Sequence, residues 1–154
     1  HFLTERAELG TMKTRRDELR FRANPRRVSP RGERVEPYAG PVAILTDRLT
    51  GSSSEIFAGA LQALGRARIF GDTTIGGVLP SAFDRLPNGD VLQHAIADYV
   101  TPRGDRLEGR GVVPDEPVPI TRADLLAGRD PPLEAALRWI ARERRAAGPA
   151  TRGP

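Results

Sequence analysis

The residues best placed by type and spacing to do chemistry are Thr50-Gly51-Ser52-Ser53-Ser54-Glu55. They join an apolar run, residues 42–46, to a segment of helical spacing, so a hydroxyl at this junction is held between two rigid elements. Backbone N–H groups at the start of a helix have no intrahelical acceptor and point toward any anion formed beside them; the helix dipole adds to the attraction. A serine here could act as a nucleophile, with the next N–H steadying the oxyanion. The same residues fit a plainer device. Ser52-x-x-Glu55 is also a capping box, in which Ser52 merely satisfies the free N–H groups of the first turn. Spacing alone favours the cap, and both readings stand at this point.

Other candidates are few. Lys13 is the only lysine, and it lies in a segment that reads as a solvated hairpin. His94, the one histidine away from the start of the chain, invites assignment as a base, but it falls in a strand, where it reads as a side chain facing solvent or a partner. Glu108 stands between Arg106 and Arg110 and by composition is a solvated loop charge. The absence of cysteine excludes disulfides, thiolate catalysis and cysteine metal sites. No His, Asp or Glu cluster has metal-ligand spacing, and there is no phosphate loop or dinucleotide fingerprint, so no metal or other cofactor is expected.

The elements that must position these residues follow from periodicity. Residues 11–15 and 18–22 alternate on either side of Arg16-Asp17 and predict a hairpin; residues 24–40, rich in Pro, Arg and Gly, predict a connecting loop. The run Val42-Ala43-Ile44-Leu45-Thr46 predicts a central parallel strand buried on both faces. Residues 52–64 predict a helix whose buried face carries Ile56, Phe57, Ala60, Leu61 and Leu64, stopped by Gly65. Residues 67–71 read as the next strand, which gives a strand, helix, strand unit with a right-handed crossover. Thr73-Thr74-Ile75-Gly76-Gly77 reads as a turn. Residues 82–86 and 91–100 form a hairpin across Pro87-Asn88-Gly89-Asp90, and Asp130-Pro131-Pro132 opens a closing helix with Leu133, Leu137 and Ile140 on one face. The class is α/β.

With 154 residues, 38% of them hydrophobic, and no internal repeat, the chain suffices for one packed domain. Basic residues exceed acidic ones by only four and aromatics are 5%, so nucleic acid, which needs a basic face and stacking platforms, is not an expected partner. Much of the positive excess lies at Arg138, Arg142, Arg144, Arg145 and Arg152, a solvated helix face and a flexible tail over 147–154. A basic module that meets an acidic partner through this helix is the rival that composition offers. His1-Phe2-Leu3 reads as mid-domain sequence, so a fragment or processed product is expected, one that associates with its N-terminal part or with copies of itself.

The residues 42–62, an apolar strand followed by a small-residue run, Ser-Glu-Ile and Ala-Gly-Ala-Leu, resemble the nucleophile region of the C-terminal processing (tail-specific) serine peptidases, family S41. Further matches follow in order: Gly71-Asp72-Thr73-Thr74-Ile75-Gly76, Leu86-Pro87-Asn88-Gly89, Tyr99-Val100-Thr101-Pro102-Arg103-Gly104, and Gly109-Arg110-Gly111-Val112-Val113-Pro114-Asp115. The resemblance covers about residues 1–120 and makes residues 1–146 the C-terminal, nucleophile-bearing part of such a peptidase domain. It implies a core similar to the crotonase and Clp-protease folds, a polypeptide substrate, Ser52 as nucleophile and the Ser53 N–H as an oxyanion donor.

One position departs from the pattern. Where the Ser-Lys branch carries its lysine base, this chain has Gly77, which is similar instead to the branch containing the tricorn protease core. In that branch a histidine upstream of the nucleophile is the base, and a glutamate matching Glu108 supports it. The base is then expected in sequence preceding His1. The retinoid-binding protein of the eye resembles the same fold used as a ligand carrier, so a non-catalytic ligand-binding homologue is the alternative. The compartment is not legible in composition, and the resemblance leans to a bacterial extracytoplasmic one.

Overall fold

Ile69 and Phe70 are neighbours in one strand and both have no exposed surface, because their side chains point to opposite faces and each face is covered. That strand organises the molecule. In the computed structural model, which describes residues 1–148, the elements run β1 (Ala7–Lys13), β2 (Glu18–Ala23), β3 (Ala43–Thr46), α1 (Ser53–Ala63), β4 (Arg68–Gly71), β5 (Ser81–Arg85), β6 (Val91–Ala95), β7 (Asp98–Val100), β8 (Glu116–Pro117), α2 (Arg122–Leu126) and α3 (Pro131–Ala146).

A parallel sheet of order β3-β4-β8 has β4 at its centre, and α1 makes the crossover from β3 to β4. On one face Ile69 packs with Ala58, Val78, Tyr99, Leu107 and Val112; on the other, Phe70 packs with Ala135 and Ala136 of α3, its ring 5.7 Å from that of Trp139. Each fully buried side chain of this size contributes about 1.5–3 kcal/mol. The architecture is therefore mixed α/β, as expected.

A second sheet, β2-β1-β7, is antiparallel and packs through Tyr99. The Tyr99 hydroxyl donates to the Leu9 carbonyl, which ties β7 to β1 from inside the core. The predicted hairpin over 11–22 is β1-β2, extended by a few residues toward Ala7. Residues 24–40 are the predicted connection, with only an isolated bridge between Val28 and Arg34.

Several expectations need correction. The run 42–46 is not a central strand buried on both faces: β3 pairs only with β4 among the described residues, and Leu45 is 41% exposed. Its other edge has no strand beside it, so the apolar pattern exceeds the cover it receives here. The second hairpin strand does not run through residue 100. It breaks at Ile96-Ala97, where β6 stays with β5 and β7 leaves for β1.

The helix faces also differ. In α1 the buried set is Glu55, Ala58, Gly59, Ala60 and Leu61, while Phe57 and Leu64 lean to solvent. Close packing decides this, since a Cβ on Gly59 would stand 2.9 Å from Leu107 Cδ1. In α3 the buried residues are Pro132, Ala135 and Ala136, and Leu133 and Leu137 are exposed. Small residues let the helix approach the sheet, so the larger leucines turn outward. Asp130 caps α3 as predicted, its carboxylate accepting from the Leu133 N–H at 3.0 Å. The short helix α2, opened by a capping box of Thr121 and Asp124, has no counterpart among the predicted elements. Most of the expected tail over 147–154 lies outside the described residues.

Candidate active site

The turn between β3 and α1 is fixed before the serine is reached. Asp47 Oδ1 accepts from the Leu49 N–H at 2.9 Å, the Thr50 N–H at 2.8 Å and the Thr50 hydroxyl at 3.0 Å. The Thr50 hydroxyl, and then the Leu49 N–H, hold the Asp47 carboxyl below the usual carboxylate range. The Thr50 carbonyl in turn accepts from the Ile75 N–H at 3.0 Å.

Ser52 then adopts φ 57°, ψ −128°, and it is the only non-glycine residue with positive φ among those described. This lies outside the left-handed helical well, whose ψ is near +47°. Holding a non-glycine residue there costs on the order of 1–3 kcal/mol. The backbone is pinned on both sides. The Ser52 N–H is shared between the Gly77 carbonyl, 3.1 Å, and Glu55 Oε2, 3.0 Å.

The capping box is present in outline, with the Ser52 side chain toward the Glu55 N–H and Glu55 reaching back to the Ser52 N–H, but the Glu55 N–H donates to the Ser52 carbonyl at 3.0 Å and the serine hydroxyl makes no side-chain cap hydrogen bond. Ser52 is exposed, its hydroxyl unused, at the tip of a strained strand-to-helix turn. The neighbouring Ser53 N–H, the first of α1, meets no acceptor among the described residues.

Glu55 does far more than cap. It has no exposed surface, and both of its oxygens are filled by donors. Oε2 accepts from the Ser52 and Gly77 N–H groups, each at 3.0 Å; Oε1 accepts from the Gly76 N–H at 2.7 Å and from the Thr74 hydroxyl. Thr74 Oγ1 also accepts from the Val112 N–H at 2.7 Å. A buried carboxylate thus fastens the elbow, the 74–77 turn and the 109–112 loop to one another. Sequence reasoning missed this role, because the spacing Ser-x-x-Glu names only one of the four donors.

Glu108 enters the same cluster. Its Oε2 accepts from the Val78 N–H at 2.8 Å and the Leu79 N–H at 3.1 Å, and the side chain is half-buried rather than free in solvent. Gly76 makes this interlocking possible: its φ is 77°, and a Cβ there would lie 2.9 Å from the Gly111 nitrogen. Gly77, by contrast, has room. A Cβ there would meet only Ile75 Cγ2, at 3.8 Å, so the missing lysine reflects a change of residue and not of space.

Lys13 and His94 are held elsewhere. Lys13 pairs with Glu18 at 3.6 Å across the β1-β2 hairpin, and the His94 ring lies 2.8 Å from Asp84 on the exposed β5-β6 hairpin. No hydrogen bond joins the Ser52 hydroxyl to a histidine or lysine among the described residues. Asp115, which closes the 109–115 motif, serves the scaffold. It accepts from the Ile69 N–H at 2.7 Å and from Gln62 at 3.1 Å, joining the end of α1 to β4.

Residues 3–118 match the family model of peptidase family S41. The chain belongs to that family. This S41 chain is 42% identical over 80 residues to a carboxyl-terminal-processing protease of Picosynechococcus, covering 51% of this chain and 19% of that protein. It is 31% identical over 124 residues to the tricorn protease of Thermoplasma acidophilum, covering 79% of this chain and 12% of that protein. Among solved structures, a putative peptidase from Parabacteroides merdae superposes with a TM-score of 0.74 at 26% identity, over 90% of this chain and 44% of that one. The S41 chain therefore spans about a fifth or less of the two curated relatives and under half of the solved structure.

Proposed function

We propose that Ser52 is the nucleophile of a serine peptidase that cleaves unstructured polypeptide, at or near free C-termini. The observation that carries this is the strained Ser52 backbone at an exposed serine whose hydroxyl makes no side-chain cap hydrogen bond. A capping serine has no need of positive φ, and neither has a ligand carrier. The relatives named above are proteases, which weighs against the carrier alternative.

In this reading a histidine supplied from outside residues 1–154 takes the Ser52 proton as Oγ attacks the scissile carbonyl. The carbonyl oxygen becomes an oxyanion facing the Ser53 N–H, with a second donor from the same outside part. The histidine then protonates the leaving amine, and water repeats the sequence on the acyl-enzyme to release the acid. Glu108 orients that histidine and stabilises its cation, directly or through another hydroxyl. Such a site is completed by further chain or by a partner. The outer edge of β3, unpaired among the described residues, supports a missing neighbour.

The test is cleavage of an unstructured polypeptide by the complete gene product, wild type against Ser52→Ala, with folding checked by circular dichroism. Loss of cleavage in the variant is expected. Equal cleavage by both proteins would sink the assignment.

A further inference from the structure

The helix α3 is apolar over more of its circumference than the sheet covers. Ala135, Ala136 and Trp139 pack on Phe70. Leu133, Leu137 and Ile140, at i, i+4 and i+7, make a second stripe about a third of a turn away. Only residues 127–130 separate α3 from α2, which ends in two more uncovered leucines. Leu126 is 73% exposed and Leu137 55%, with Leu125 and Leu133 also open to solvent.

The free charges around these leucines are almost all of one sign. Asp124 is held by Thr121 and Arg129, Asp130 caps α3, and Glu134 pairs with Arg138. Glu143 lines the cleft on the Trp139 side of the helix. Arg142, Arg144 and Arg145, and Arg122 on α2, are exposed and enter no ion pair among the described residues.

We infer that α2 and α3 form a docking face for the surface of an anionic membrane, the leucines entering the acyl boundary and the arginines meeting lipid phosphates. Charge argues for that occupant, because a second copy on this face would set its own arginines against these. Composition agrees: leucine is under-represented among the residues that anchor protein partners, but is common on the apolar side of surface-bound helices. No helix among the described residues is long and apolar enough to cross a membrane, so α3 would lie along the surface. The helix α1, with Ser52 at its start, packs on the opposite face of the sheet and is left uncovered. The inference does not depend on Ser52 being a nucleophile.

Cosedimentation of the complete gene product with vesicles tests it. Phosphatidylcholine vesicles carrying about 30% phosphatidylglycerol should bind the protein at least about tenfold better than phosphatidylcholine alone, and about 0.5 M salt should remove the gain. Leu133→Ser with Leu137→Ser should weaken binding to the anionic vesicles about tenfold or more. Arg142→Gln with Arg145→Gln should weaken it about tenfold and tests the same face without touching apolar packing. These side chains are exposed, so the unfolding midpoints should stay near that of the wild type. Equal binding of wild type and both variants, or equal binding to the two kinds of vesicle, overturns the inference. A wild type that ignores vesicles but forms a dimer, broken by the leucine pair in sedimentation velocity, overturns it in favour of a protein interface.

Discussion

Ser52 and Glu108, 56 positions apart in sequence, are joined through a single dipeptide: the Gly77 carbonyl accepts from the Ser52 N–H at 3.1 Å, and the next N–H, that of Val78, donates to Glu108 Oε2 at 2.8 Å. The proposed nucleophile and the proposed supporting carboxylate thus share one rigid strip of backbone. Movement of the 76–79 segment would displace both.

Strain at Ser52 separates nucleophile from cap by stability alone. Ser52→Gly should be more stable than wild type by about 1 kcal/mol, because glycine relieves the positive φ. Ser52→Ala should lie close to wild type, since no cap bond is lost. A capping serine gives the other pattern, a loss of about 1 kcal/mol in the alanine variant and no gain with glycine. Urea unfolding of the three proteins decides between them.

Glu55→Gln should be strongly destabilising. Whichever way the amide turns, its NH₂ faces at least one backbone N–H that now donates to a carboxylate oxygen. Leaving such groups unpaired in the core costs about 2–4 kcal/mol. The midpoint of denaturant unfolding should fall accordingly, and a variant as stable as wild type would contradict the hub described for Glu55.

Glu108→Gln keeps one carbonyl oxygen for the Val78 and Leu79 N–H groups, so its unfolding midpoint should stay near that of the wild type. If Glu108 supports a histidine cation, kcat in the complete gene product should drop about 10²- to 10⁴-fold. An unchanged kcat would leave Glu108 as a loop staple only.

Tyr99 makes alkaline stability pH-dependent. Burial pushes its hydroxyl up to about 12 from the ordinary 10. The raised value means that the folded state keeps the proton longer, so this contribution is fully present below pH 10 and is lost as pH rises from 10 through 12. Two units amount to about 3 kcal/mol at most. Tyr99→Phe should remove that slope, and difference absorbance of the wild type at about 295 nm should reveal the late-ionising hydroxyl.

Local pattern made much of the scaffold legible. The β1-β2 hairpin, the helix after Ser52, its stop at Gly65 and the Asp130 cap each depend on residues within a few positions of one another, where propensity and capping chemistry act. At Gly65 the Arg66 and Gly65 N–H groups return to the Leu61 and Gln62 carbonyls, both at 2.8 Å, as a helix stop of this kind requires. What misled was burial. An apolar run such as 42–46 shows that a strand can be covered, but which strand is central depends on how many neighbours pair with it, and here β4 has two while β3 has one.

The sequence by itself determined an α/β chain with a serine at a strand-to-helix junction and a glutamate three residues on, because these are properties of residue type and short spacing. Only the tertiary structure decided what the two residues do. The φ of Ser52 and the burial of Glu55 are set by contacts with Thr74, Gly76 and Gly77, which lie 19 to 25 positions away, and Thr74 is held in turn by Val112. A capping box and a strained nucleophile elbow share the same sequence pattern; they differ in where the rest of the chain folds back to hold them.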